Sequence, residues 1–212
     1  ISQINKDSRD QVLDTFIKTL TSVIRDLQQA PSLEITEKAI KNITEVYRDN
    51  TIDATLLFIT NILEYSSEVK IVQPLIKLIN VLLSGVKSHT MTSCLTVISK
   101  IYHYYHRKCN NDKTLHKELD ALNEQVLGLS TKSGEVRPYA ITTISVFVSC
   151  CPGLSTVQKS VDKIVGFLDE SAVAKVSIGA IALISASESA KTLSKDTKLI
   201  LSKLKTKIMS EP

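Results

Sequence analysis

Ser133-Gly134-Glu135-Val136-Arg137-Pro138-Tyr139-Ala140 is a short turn that runs straight into an apolar stretch through Ile141, Ile144 and Phe147. Weaker echoes occur at Ser66-Ser67-Glu68-Val69-Lys70 and at Glu170-Ser171-Ala172-Val173-Ala174-Lys175. A turn-plus-helix unit used more than once restricts the chain to few architectures. Each unit has an apolar face that it cannot bury alone, so neighbours must stack on it.

Periodicity along the chain predicts an all-α fold of about ten helices of roughly 15–22 residues, joined by loops of about two to six, so that sequential neighbours run antiparallel. The first, 8–29, carries Leu13, Phe16, Leu20, Ile24 and Leu27, opens on a capping-box pattern at Ser8 and Gln11, and stops at Pro31. The second begins at Ser32 and ends at Asp49-Asn50, and the third runs from Thr51 to Tyr65. Helices over 68–84, closed by Gly85, and over 88–107 follow, before the polar loop Asn110-Asn111-Asp112. The remaining five are expected over 113–129, 135–150, 155–168, 172–187 and 190–209. Ser155-x-x-Gln158 reads as a second capping box. The helix over 172–187 is rich in small residues, which lets neighbours approach closely. No stretch alternates at period two, as strands would require.

Composition supports this reading. Apolar residues make up 43 % and aromatics 5 %, with no Trp, so the core must be aliphatic. From Ala190 onwards six lysines face two acids, a balance of +4 that equals the net charge of the whole chain. The charge is a local basic end and not a global nucleic-acid signature. Four Cys in a chain of this size, with no CxxC, read as reduced and mostly buried thiols, and hence a cytoplasmic or nuclear setting. No apolar run reaches the ~18–20 residues that span a bilayer. The chain begins at Ile1, so the expectation is a single repeat domain, 1–212, within a longer protein. Asn42-Ile43-Thr44 matches a glycosylation sequon but falls mid-helix and is read as coincidental.

The segment Gly134 to Ala140, preceded by Leu127 and Leu129, resembles the turn and second helix of a HEAT or armadillo-type repeat. The resemblance implies an α-solenoid of helical hairpins. It also implies that Arg137 matches the Arg that ties adjacent turns in such arrays. Lys70 and Lys175 take similar places 67 residues before and 38 after Arg137.

Candidate chemistry is sparse. Ile101-Tyr102-His103-Tyr104-Tyr105-His106-Arg107-Lys108-Cys109 places two His and a Cys one helical turn apart, with His116 beyond the loop. Without a paired ligand motif, these are read as the wet end of an amphipathic helix, where basic groups suit the helix dipole, and no metal or cofactor is expected. The Tyr and basic residues of the same segment offer stacking and phosphate contacts, so nucleic acid is possible but not favoured. Cys150-Cys151 has no base or orienting group near it in sequence. HEAT-like alkylpurine DNA glycosylases are similar in size, but rely on Trp, which this chain lacks.

The expected function is therefore non-enzymatic: a scaffold or adaptor that binds a protein partner through its concave face or its turns. The alternatives are a nucleic-acid-binding helical repeat and a tubulin-binding TOG-type module. The expected contact residues are Lys70, Lys77, Arg137, Tyr139 and Lys175, with Tyr104, Tyr105 and Arg107 as a second patch. Tyr and Arg are the residue types that most often dominate interfaces.

Overall fold

A computed structural model describes Leu56 and residues 72–85, 88–109, 112–132 and 134–210. The helices expected between Ser8 and Tyr65, the Ser8 capping box, the Asn42 sequon and Lys70 lie outside the described residues, apart from Leu56, which is helical and buried. Among the described residues every regular element is helical: α1 (Val72–Gly85), α2 (Ser88–Tyr104), α3 (His116–Leu129), α4 (Val136–Cys150), α5 (Val157–Gly166), α6 (Ala174–Ser185) and α7 (Thr197–Ser210). The seven α-helices span 10–17 residues each, shorter than periodicity predicts. Single turns of tighter or wider helix take up the difference: 3-10 turns at Lys113–Leu115, Phe167–Asp169 and Ala190–Leu193, and a π turn at Tyr105–Cys109. No described helix is long and apolar enough to cross a membrane.

The chain forms two compact units, 1–109 and 110–212, divided in sequence at the polar Asn110-Asn111-Asp112 loop. In the first unit α1 packs on α2. Val72, Leu75, Ile76, Ile79 and Leu83 repeat at three- and four-residue steps and are buried, while Lys77 lies on the exposed side. Cys94, Leu95, Ile98, Ile101 and Tyr102 form the matching face of α2.

The second unit is built around α4, which packs on α3, on α5 and most extensively on α6. Ten of its fifteen residues are buried, including Ile141, Ile144, Phe147 and Val148. A helix apolar on all sides must be enclosed by others. Pro138 sits in its first turn, where the backbone N–H it lacks would have had no helical partner. Gly134, at φ +97°, makes the turn before it, and its carbonyl accepts from the Arg137 N–H.

Helices two apart in sequence are tied by side-chain hydrogen bonds. Asp120 on α3 accepts from the backbone N–H and the hydroxyl of both Ser155 and Thr156, 35 and 36 residues on, at the start of α5. Buried Asn123, one turn along α3, donates to the hydroxyl oxygens of Thr156 and Ser160 at 2.9 Å each. Those hydroxyls give their own protons to Asp120 and to the Thr156 carbonyl. Lys159 pairs with Glu124. From α5 to α7, Gln158 reaches Asp196, and Lys203 reaches both Asp169 and the Val165 carbonyl at the end of α5. The links span 33–40 residues.

Three sequence expectations need correction here. Ser155 and Gln158 do not form a capping box: the N-cap of α5 is Thr156, with no side-chain bond to its own helix. Ser155 instead gives its backbone N–H and its hydroxyl to Asp120 of another helix, and Gln158 turns to Asp162 and Asp196. The last helix is not continuous over 190–209: a 3-10 turn at Ala190–Leu193 and a turn at Ser194–Asp196 precede α7. The helix expected over 88–107 also changes pitch after Tyr104.

Partial burial by itself would raise the Asp120 carboxyl, but its four hydrogen bonds outweigh this and hold it below its ordinary 3.8. The ionised form is thus the one the fold favours. Its contribution is complete above the unfolded value and is lost as pH falls through the lower folded one. Acid titration of thermal stability should show Asp120→Asn losing less stability below about pH 4 than the wild type does. Equal acid sensitivity of the two proteins would contradict that role. Asn123→Leu should cost about 1–3 kcal/mol, because Thr156 and Ser160 lose a buried donor. Urea titration checks it, and an unchanged midpoint would count against the network.

Candidate functional site

The turn before α4 and the turn before α6 meet through Arg137. Its Nε donates to the Ser130 carbonyl at 2.8 Å, a terminal nitrogen pairs with Glu170, and the guanidinium lies 4.9 Å from the Phe167 ring centre. Lys163 stands over the same ring at 5.4 Å. A planar fork is needed to satisfy a carbonyl, a carboxylate and a ring face at once, which Lys cannot do. The side chain is 16 % exposed. Arg137 is thus spent on joining consecutive turns and is not offered to a partner.

Tyr104 and Tyr105, expected at a contact patch, are buried at 1 % and 4 % exposure. They follow buried Val97 and Ile98 seven residues on, so the helical period places both adjacent tyrosines on the packed face, and the π turn begins only at Tyr105. Arg107, in the same turn, is exposed. Partial burial first, then the positive charges of Lys100, Arg107 and His106, holds His103 below its ordinary 6.5. It is a neutral imidazole near pH 7, a poor phosphate ligand. Among the described residues no group of three His, Cys, Asp or Glu side chains gathers in a way that suits a metal ion.

Of the other expected contact residues, Lys77, Tyr139 and Lys175 are exposed. Tyr139, at 52 %, is the exposed aromatic among the described residues. It lies one turn into α4, beyond the Gly134 turn. Arg137 and Tyr139 thus share a helix start but not a role. Lys77 and Arg107 belong to the first unit, and Tyr139 and Lys175 to the second.

Residues that sequence reasoning passed over are Asp120, Asn123 and Glu170, which hold the second unit's turns and helices together. Glu170 carries a faint signal, since it opens the third echo of the turn. Asp120 and Asn123 carry none, because their partners lie more than thirty residues away. Cys94, Cys150 and Cys151 are buried thiols. Burial, then Cys150 and Asp120, push the Cys151 thiol up, so it stays protonated and is a weak nucleophile.

Six lysines over 191–207 do not act as one surface. Lys203 is 19 % exposed and committed to Asp169 and the end of α5, while Lys191, Lys195, Lys198 and Lys205 are exposed. Compared with family models, with curated proteins and with solved structures, the chain matches none.

Arg137→Ala should destabilise the second unit by about 2–3 kcal/mol, from a charged hydrogen bond and a ring contact. Arg137→Lys should recover about half of that or less, since the fork is lost. Denaturant melts of the two variants and of Glu170→Ala check this. A wild-type midpoint for Arg137→Ala would show that the turn tie carries no stability.

Proposed function

We propose that this chain is a non-enzymatic helical-repeat scaffold of the HEAT or armadillo kind, an α-solenoid that holds a protein partner. The supporting observation is the set of links between alternate helices at separations of 33–40 residues. Links of different chemistry recur at a nearly constant chain interval, which stacked helical hairpins would produce. Arg137 and Lys175, 38 residues apart, are each the second residue of their helix. Such an array presents side chains in rows, and its working surface is the outside of the stack rather than a pocket.

Tyr139 is the centre of the proposed partner surface, with the exposed cations Lys77, Arg107 and Lys175 as candidate contacts on their own units. A large, rigid aromatic ring loses little conformational freedom on docking and covers much apolar area. The buried thiols suit the reducing cytoplasm or nucleus.

The test is affinity capture from native extract by the wild-type chain and by Tyr139→Ala, with circular dichroism to confirm that both fold. Tyr139→Ala should lower recovery of a specifically bound protein about tenfold or more. Binding should also persist between about 50 and 200 mM salt, whereas phosphate contacts would weaken by orders of magnitude over that range. Equal recovery by the variant, or a steep salt dependence with nucleic acid in the captured fraction, would contradict the proposal.

A further inference from the structure

Among the described helices α7 stands apart in charge: it holds Lys198, Lys203, Lys205 and Lys207 and no acid. Lys203 is tied to Asp169 and the end of α5. Lys198 and Lys205 are exposed, and neither makes an ion pair among the described residues. At 100° per residue, Lys205 falls within about 20° of Lys198 and about 10.5 Å further along the axis, both inside the helix. Ile200, on the opposite side, is buried, which turns the line of the two lysines outwards.

Two leucines flank that line. Leu201 stands between the lysines in height and about 60° to one side, and Leu199 lies about 100° to the other. They are 61 % and 48 % exposed, Leu201 being the most exposed large apolar side chain among the described residues. This pattern discriminates between anionic partners. Phosphate binding gains nothing from leucines, and α7 offers no Arg to base edges and no aromatic ring to a base. A helix lying in a bilayer surface needs its apolar residues at the centre of the buried arc. Here lysines hold the centre and the leucines diverge by about 160°, so one flat surface cannot take both. Carboxylates backed by aliphatic side chains, as on an acidic amphipathic helix, match the charge and the apolar flank together.

We infer that the outward face of α7 docks an acidic helical segment of a partner protein, two carboxylates seven residues apart meeting Lys198 and Lys205, and an aliphatic side chain covering Leu201. Seven residues bring a helix back to nearly the same face, so a partner helix laid alongside α7 repeats the spacing of the two lysines. Covering Leu201 also keeps water from the lysine–carboxylate pairs beside it, which strengthens them. One helix face is a small surface, so the contact is weak and quickly reversed, with a dissociation constant of roughly 10–100 µM. The inference stands apart from the surface centred on Tyr139, since it uses another helix and other residues.

Fluorescence anisotropy with the whole chain tests it. The probe is a labelled helical peptide of two heptads that carries glutamates seven residues apart, with leucines beside them. It should bind in the stated range at low salt and about threefold or more weakly at about 200 mM. Lys198→Glu combined with Lys205→Glu should weaken binding about tenfold or more, and Leu201→Ser about threefold. These positions are exposed, so the thermal midpoint should not change. Lys198→Arg combined with Lys205→Arg keeps the charge and should bind as the wild type does. No binding of the glutamate peptide would overturn the inference. So would equal binding of a peptide with glutamine in place of glutamate, or binding untouched by the double charge reversal. Tighter binding of single-stranded RNA or of phosphatidylserine vesicles than of the peptide would also overturn it.

Discussion

The carboxylate of Asp120 holds the chain where it turns into α5. The backbone N–H groups of Ser155 and Thr156, the two residues before that helix, have no helical partner and must find an acceptor elsewhere. Here the acceptor belongs to α3, so the entry to α5 is satisfied only when α3 is beside it. One turn along α3, Asn123 adds two buried hydrogen bonds whose directions are fixed, because both hydroxyl protons are already committed. Moving α3 and α5 out of step would strand a buried amide and two hydroxyls, at about 1–3 kcal/mol each.

Polar links of this kind set which residues face one another, while apolar burial supplies most of the stability. The exposed pair Lys159–Glu124 contributes about 0–1 kcal/mol at most. By contrast, α4 buries Ile141, Ile144, Phe147 and Val148 essentially completely, at about 1.5–3 kcal/mol for each large side chain. Arg137 stands between the two kinds of contact: it caps a carbonyl, neutralises Glu170 and covers Phe167. The turn that first drew attention in the sequence is therefore a joint in the framework, and Tyr139, one turn later, is the side chain it leaves on view.

Local features were legible in the sequence, and long-range ones were not. The α-helical class and the positions of α4 and α6 follow from spacing alone, as Ile141, Ile144 and Phe147 show. Arg137, expected as a partner contact, instead makes the tie that the resemblance of its turn implies. The capping box at Ser155 and Gln158 does not form because it is a local pattern, while the group that takes the Ser155 hydroxyl, Asp120, is 35 residues distant. The burial of Tyr104 and Tyr105 was legible too, since they follow Val97 and Ile98 at seven-residue spacing on the same helix face. The break before α7 leaves no mark on the spacing, since Leu193 and Ile200, both buried, stand seven residues apart as in an unbroken helix.

Zero-length carbodiimide cross-linking of the native chain, read by mass spectrometry, tests the central claim most directly, since it joins only lysines and carboxylates already in contact. Side-by-side packing of alternate helices predicts Lys159 joined to Glu124 and Lys203 joined to Asp169. Their joining mainly to carboxylates at other chain intervals would contradict the stacked arrangement on which the rest depends.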